Sequence, residues 1–238
     1  MASLDPDNRE SLTSVECISG SGFALPPMII ISGIIFLEKY FMNELSDDVL
    51  LATSETGYMN DQLSLDWIHH FDAYTKQRQK GEWRMLIMDD HGSHLTIEFV
   101  SYCYENKITL FLLPVHSTHF LQPLDIGVFQ SFKHHHQYVL EEQIRYGGWD
   151  YSKADFLAEF NEMRERTFRS IVIKDAFEKA GLIPFDPQKV LTKLIQFNDP
   201  ERPADIPLIP YNYTNPATPP NNNHILEVLD ELSGWIQY

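Results

Sequence analysis

The sequence predicts an α/β fold, and three observations carry the expectation. MLIMD (Met85 to Asp89) and ITLFLLP (Ile108 to Pro114) are short apolar runs joined by a helix-like segment, which reads as a βαβ unit. Ahead of them, two strand-like runs are joined by glycines. After them, the chain turns to helical periodicity as far as Leu194. At 238 residues, 43% of them apolar, the chain can bury one sizeable core, so one domain and a tail are expected.

The opening elements follow from residue type. SLTSVECIS (Ser11 to Ser19) mixes β-branched and apolar residues, GSG (Gly20 to Gly22) supplies a turn, and PPMIIISG runs to Gly33. Two such runs around a glycine turn predict an antiparallel hairpin. A helix is expected next, because Leu63, Trp67, Phe71 and Tyr74 fall at i, i+4, i+8 and i+11, with Asp61 near the positive end of the dipole.

LTIEFVSYCYEN reads as the short helix of the βαβ unit. The strands on either side are apolar on both faces, which predicts a parallel sheet covered by helices. Further on, Phe129, Phe132, His136 and Leu140 mark a helix over Asp125 to Ile144. Phe156, Phe160, Met163 and Thr167 mark another over Ala154 to Phe168. A third ends near Ala180, where Gly181 serves as the C′ residue and Pro184 prevents continuation. Asp186 and Pro187 start a last helix through Leu194. Residues 197–238 are rich in Pro and Asn and read as a tail, within which Ile225 to Ile236 forms a small amphipathic stretch.

Composition narrows the function classes. Cys17 and Cys103 are too few for a disulfide framework and fit a reducing compartment. MASLDPDNRE is polar and has no apolar signal region, and Pro26 to Leu37 is too short for a membrane span. A soluble intracellular protein is expected. The net charge is -16, from 18 basic and 34 acidic residues, and nothing in these residues looks like a basic DNA-binding arm. The acid is uneven: Phe36 to Ala73 holds eight acidic side chains against one Lys. Lys76, Arg78, Lys80 and Arg84 are locally basic, as are Arg164, Arg166 and Arg169. Each group reads equally as a nucleic-acid contact or as a solvated charged face.

Two segments carry candidate chemistry, both just past the ends of predicted parallel strands, where open α/β sheets bind ligands. LIMDDHGSH places Asp89 at a strand end, followed by His91 and His94. LLPVHSTHFLQPLDIGVFQSFK leads from a strand to Asp125 at a helix start. Two converging carboxylates would repel unless a cation sat between them, and oxygen ligands suit Mg²⁺ or Mn²⁺. A pair of such ions, roughly 3.5–4 Å apart, activates water and stabilises the leaving oxygen of a phosphodiester. The alternative is that Asp89 caps a turn and Asp125 caps a helix. A third reading pairs His91 and His94 with His116 and His119 as two H-x-x-H motifs around Zn²⁺. His134, His135 and His136 run around a helix and cannot all face one ion.

LIMDDHGSHLT followed by LFLLPVHSTHFLQPLDIGVFQSFK resembles the DDE endonuclease domain of pogo-type transposases, a branch of the mariner-like superfamily. The likeness extends through TSVECISGSGFALPPMIIISG, GYMNDQLSLDWIHHFD and AGLIPFDPQKVL, and Gln122, Pro123, Leu124 and Asp125 are its most specific part. It implies a ribonuclease H-like core over residues 8–196, a mixed sheet flanked by helices with a helical C-terminal part. It also implies three carboxylates binding Mg²⁺ or Mn²⁺, with Asp89 second and Asp125 third. Asp90 is a bystander, and His94, His119 and Gln122 are supporting loop residues. DNA is the implied partner and the nucleus the implied location, with no membrane and no small-molecule substrate; self-association stays open.

The first carboxylate of the pattern belongs to an opening, central strand ahead of the hairpin. Asp5 and Asp7 stand too close to that hairpin to replace it. The expectation is therefore that this strand is missing, that its neighbours are left with unpaired edges, and that strand cleavage is lost in these 238 residues. Retention as a DNA- or protein-binding module is the alternative function.

Overall fold

The computed structural model of the chain describes residues 12–41, 45–89, 96–114, 117–145 and 151–197. Among them, five strands lie in two small sheets, accompanied by seven α-helices, which agrees with the α/β expectation.

β1 (Leu12–Val15) and β2 (Met28–Ser32) pair antiparallel, with Leu12 opposite Ile31 and Val15 opposite Met28. The predicted hairpin is present, but its ladder is shorter than Ser11 to Ser19. Only the Ile18–Ala24 bridge continues it, and the tip closes with the Gly22 N–H donating to the Ser19 carbonyl at 2.8 Å. Gly22 takes φ +88, a conformation that glycine adopts without steric cost.

β3 (Leu50–Ser54) adds to the other edge of β2 in parallel, Ile30 opposite Ala52. β2 is thus the central strand of this sheet and is apolar on both faces. Met28 and Ile30 pack with Leu63 of α1 (Asp61–Thr75), while Ile29 and Ile31 pack with Leu157 and Phe160 of α5 (Lys153–Thr167). The N-cap of α1 is Asn60, whose side chain accepts the Leu63 N–H at 2.9 Å, leaving Asp61 in the first turn.

The βαβ unit forms as read. β4 (Arg84–Met88) and β5 (Ile108–Leu112) pair in parallel across α2 (Ile97–Glu105), whose start is capped by Thr96. Leu86, Phe99, Cys103 and Ile108 close over Ile68 and Phe71 of α1. The expectation that both strands are covered on both faces holds less well. β4 and β5 have only each other as neighbours among the described residues, and Phe111 and Leu112 are exposed.

Beyond β5 come α3 (Thr118–Leu121), a π-helical turn (Leu124–Val128) and α4 (Phe129–Arg145), then α5, α6 (Ser170–Lys179) and α7 (Gln188–Phe197). Gly181 ends α6 with φ +68, and the Asp186 carboxylate accepts the Gln188 N–H at 3.1 Å to start α7, both as predicted. Capping of α5 is reciprocal: the Ser152 hydroxyl accepts the Asp155 N–H and the Asp155 carboxylate accepts the Ser152 N–H. The tail, with Ile225 to Ile236, lies outside the described residues.

Candidate functional site

Asp89 is the residue at which β4 leaves its sheet. Met88 is still paired with Leu112, and its carbonyl accepts the Leu113 N–H at 2.8 Å, so the two parallel strands end side by side. Asp89 is half-buried there. Half-burial carries a desolvation cost for a carboxylate, which hydrogen bonds or a cation offset.

From the same strand end, the chain winds through tight turns toward Asp125. The Pro114 carbonyl accepts both the Ser117 N–H, at 3.1 Å, and the Ser117 hydroxyl, at 2.6 Å. Phe120 is buried and anchors α3. The Gln122 carbonyl then accepts the N–H groups of Asp125 and Ile126, both at 3.1 Å. The Gln122 backbone thus closes α3 and opens the next turn.

Asp125 is exposed in the first turn of the π-helical segment, where the helix dipole favours a negative charge. The helix start is at Pro123 and has no side-chain cap, so the capping role considered for Asp125 is not what the structure shows. Its turn is seated from the opposite side. Leu124 and Val128 are buried with Ala176 of α6. A Cβ on Gly127 would come within 2.7 Å of the Ala176 Cβ, closer than real side chains pack. Single π-helical turns of this kind occur frequently at functional sites.

The histidine alternatives fare differently. His119 is exposed, with its ring 3.9 Å from that of Phe120. Asp90, His91, His94 and His116 lie outside the described residues. No group of three or more His, Cys, Asp or Glu that could hold a metal ion occurs among the described residues. Asp89 and Asp125 each offer oxygen donors, the kind that hard cations such as Mg²⁺ take.

The basic candidates separate into surface and core. Lys76 and Lys80 are exposed; Lys76 lies 3.8 Å from Asp72. Arg78 is also exposed, with its guanidinium 3.6 Å above the ring of Phe23. Arg84 must be corrected: it is buried, and its guanidinium is paired with buried Asp72, leaving it no part in a surface contact. In the second group, Arg164 pairs with Glu16 at 3.0 Å and also donates to the Leu25 carbonyl. Burial pushes the Glu16 carboxyl above its usual range despite that partner. Arg166 pairs with Glu162 one turn away.

Two features escaped the sequence reading. The Asp72–Arg84 pair had a signal, since Asp72 lies on the core face of α1 with Ile68, Phe71 and Thr75, where a lone carboxylate demands a partner. The Glu16–Arg164 pair, which joins the end of β1 to α5, had none.

Residues 8–174 match the DDE superfamily endonuclease family. The chain belongs to that family. Among similar proteins, one from Cochliobolus lunatus named MFS-type transporter clz9 is 33% identical over 214 residues, 90% of this chain and 23% of that protein. A Homo sapiens protein named Pogo transposable element with ZNF domain is 27% identical over 133 residues, 55% of this chain and 9% of that protein. This DDE endonuclease-family chain thus spans less than a quarter of the length of either relative. No solved structure matches it. Among the described residues of this family member, no helix is long and apolar enough to cross a membrane.

Proposed function

We propose that the chain is the nuclease-like part of a pogo-type transposase, with Asp89 and Asp125 as two of its metal-binding carboxylates. The observation that carries this reading is positional. Asp89 directly follows β4, and Asp125 comes after β5 and α3 in the chain; open sheets of this class do their chemistry past the carboxyl ends of parallel strands. A hard divalent cation held there would polarise a phosphodiester and activate water. The chain's own residues supply charge and placement: Gln122 and the Gly127–Ala176 contact fix the turn of Asp125, and β4 fixes Asp89.

The first carboxylate of the reading would come from a strand beside β1 or β4, each of which has a single paired neighbour among the described residues. DNA is the substrate in this reading, and exposed Lys76, Arg78 and Lys80 are its candidate contacts, beside the start of β4 and at the end of that strand away from Asp89. Such a protein would work in the nucleus.

Mn²⁺ binding by the chain tests the reading, in which nicking of supercoiled plasmid needs the first carboxylate as well. Asp89→Asn and Asp125→Asn should each weaken Mn²⁺ binding by about tenfold or more, as loss of one charged ligand from a small set does. They should leave DNA affinity near its original value. Unchanged Mn²⁺ affinity in both variants would remove the carboxylate assignment. DNA binding with no Mn²⁺ binding would point to the non-enzymatic binding module instead.

A further inference from the structure

The segment after β2 forms an apolar platform that the proposed nuclease chemistry does not use. Ile34 and Ile35 are 82% and 70% exposed, and Phe36, Leu37 and Phe41 (60% exposed) stand beside them. The rings of Phe36 and Phe41 meet edge to face, with centroids 5.6 Å apart. Four consecutive exposed apolar residues are rare on a protein surface without an interaction to explain them.

The platform is fastened from below. Gly33 donates its N–H to the Ser54 carbonyl at 2.9 Å, tying the entry of the loop to the end of β3. A 3-10 turn over Glu38–Tyr40 then places Tyr40, 5% exposed, in the cluster with Leu157 and Phe160 of α5. The outward apolar face is thus fixed by buried anchors on the same loop.

Its surroundings are acidic. Glu38 lies in the loop, and Glu55 follows the Ser54 carbonyl to which Gly33 is bonded. Asp47 and Asp48 lie between Leu45 and Val49, which pack in the same cluster as Tyr40. All four carboxylates are on exposed residues, against one exposed cation, Lys39.

We propose that this face is a docking surface for a cationic amphipathic helix of another protein chain. The apolar stripe of such a helix would cover Ile34, Ile35, Phe36 and Phe41, and its flanking Lys or Arg would meet the carboxylate rim. Other occupants fit less well. A nucleic-acid backbone is repelled by the rim, and a second copy brings the same negative rim with it. The chain's own stretch from Ile225 to Ile236 contains Glu227, Asp230 and Glu231 and no basic residue.

Fluorescence anisotropy with the full chain tests this, using a labelled 18-residue Leu/Lys amphipathic peptide as probe and its Leu/Glu counterpart as control. The Leu/Lys peptide should bind. The double variant Ile35→Ser, Phe36→Ser should weaken it by about tenfold or more through lost apolar burial. Glu38→Gln with Glu55→Gln should weaken it by roughly threefold and flatten its salt dependence. These residues are exposed, so circular dichroism of each variant should match the parent. Undiminished binding in the apolar double variant would reduce the effect to charge alone and overturn the proposal. So would preference for the Leu/Glu peptide. A parent dimer in sedimentation that dissociates in the apolar variant would assign the face to a second copy. Binding to phosphatidylcholine vesicles, lost in that variant, would assign it to lipid. Either result overturns the proposal.

Discussion

Arg84 and Asp72 meet in the interior, 8% and 6% exposed, and join three elements at one point. Arg84 also donates to the Thr75 hydroxyl at 2.7 Å and to the Asn106 carbonyl at 2.8 Å, while the Tyr102 hydroxyl donates to Asp72 at 3.3 Å. The pair therefore clamps the end of α1 to the start of β4 and the end of α2. Removing one partner leaves a buried charge unmatched, so Asp72→Leu or Arg84→Met alone should cost about 3–5 kcal/mol. The double variant should cost less than the two single losses combined. Urea denaturation of all four proteins at neutral pH measures this, and additive losses would show that the two residues are uncoupled.

Gly127 predicts a steric effect with a built-in rescue. Gly127→Ala places a methyl group against Ala176 and should destabilise the fold by about 1–3 kcal/mol, as overpacking does. Adding Ala176→Gly should recover part of that loss. A single variant with the parent's melting temperature would show that α6 does not press on this turn.

His136 gives a pH signature. Burial pulls its pKa below the ordinary 6.5, with Glu159 opposing, and its Nε2 has no hydrogen-bond partner among the described residues. The unfolded chain then takes up a proton before the folded one does. Stability from this residue is complete above pH 6.5 and falls as pH drops through the lower folded value. His136→Phe, set against Phe156 at the present 5.2 Å ring distance, should flatten this slope. Melting curves of both proteins between pH 7.5 and about pH 5 should converge in shape only above the histidine range. Parallel curves throughout would mean the ring titrates as if solvated.

The exposed cations separate DNA contact from packing. Lys80→Ala should lower the salt dependence of DNA affinity by about one unit of slope. Arg78→Ala should do the same and also cost about 0.5–1 kcal/mol of stability, because its guanidinium stacks on Phe23. An unchanged salt slope in both variants would take this edge out of the proposed DNA path.

Periodicity made the helices legible, and the run PPMIIISG beyond a glycine turn named β2. β3 was not legible. LLATS is short and ends in small polar residues, and it is a strand because β2 offers an edge that local sequence cannot show. Arg84 was misread for a related reason: its neighbours Lys76, Arg78 and Lys80 are on the surface, and only folding brings Asp72 against it. Near the candidate site, MLIMD and ITLFLLP were legible as two parallel strands. The path from Pro114 to Asp125 depends on turns, on Phe120 and on the contact with Ala176, none of which has a sequence period.

Trp67 packs in the cluster beneath β2 and β3 and also in the cluster beneath β4 and β5. One indole therefore senses the integrity of both sheets. Loosening of either half should alter its emission, and amide exchange in β2 and β4 should share a common opening step, because neither half can come apart without moving the helix that carries it.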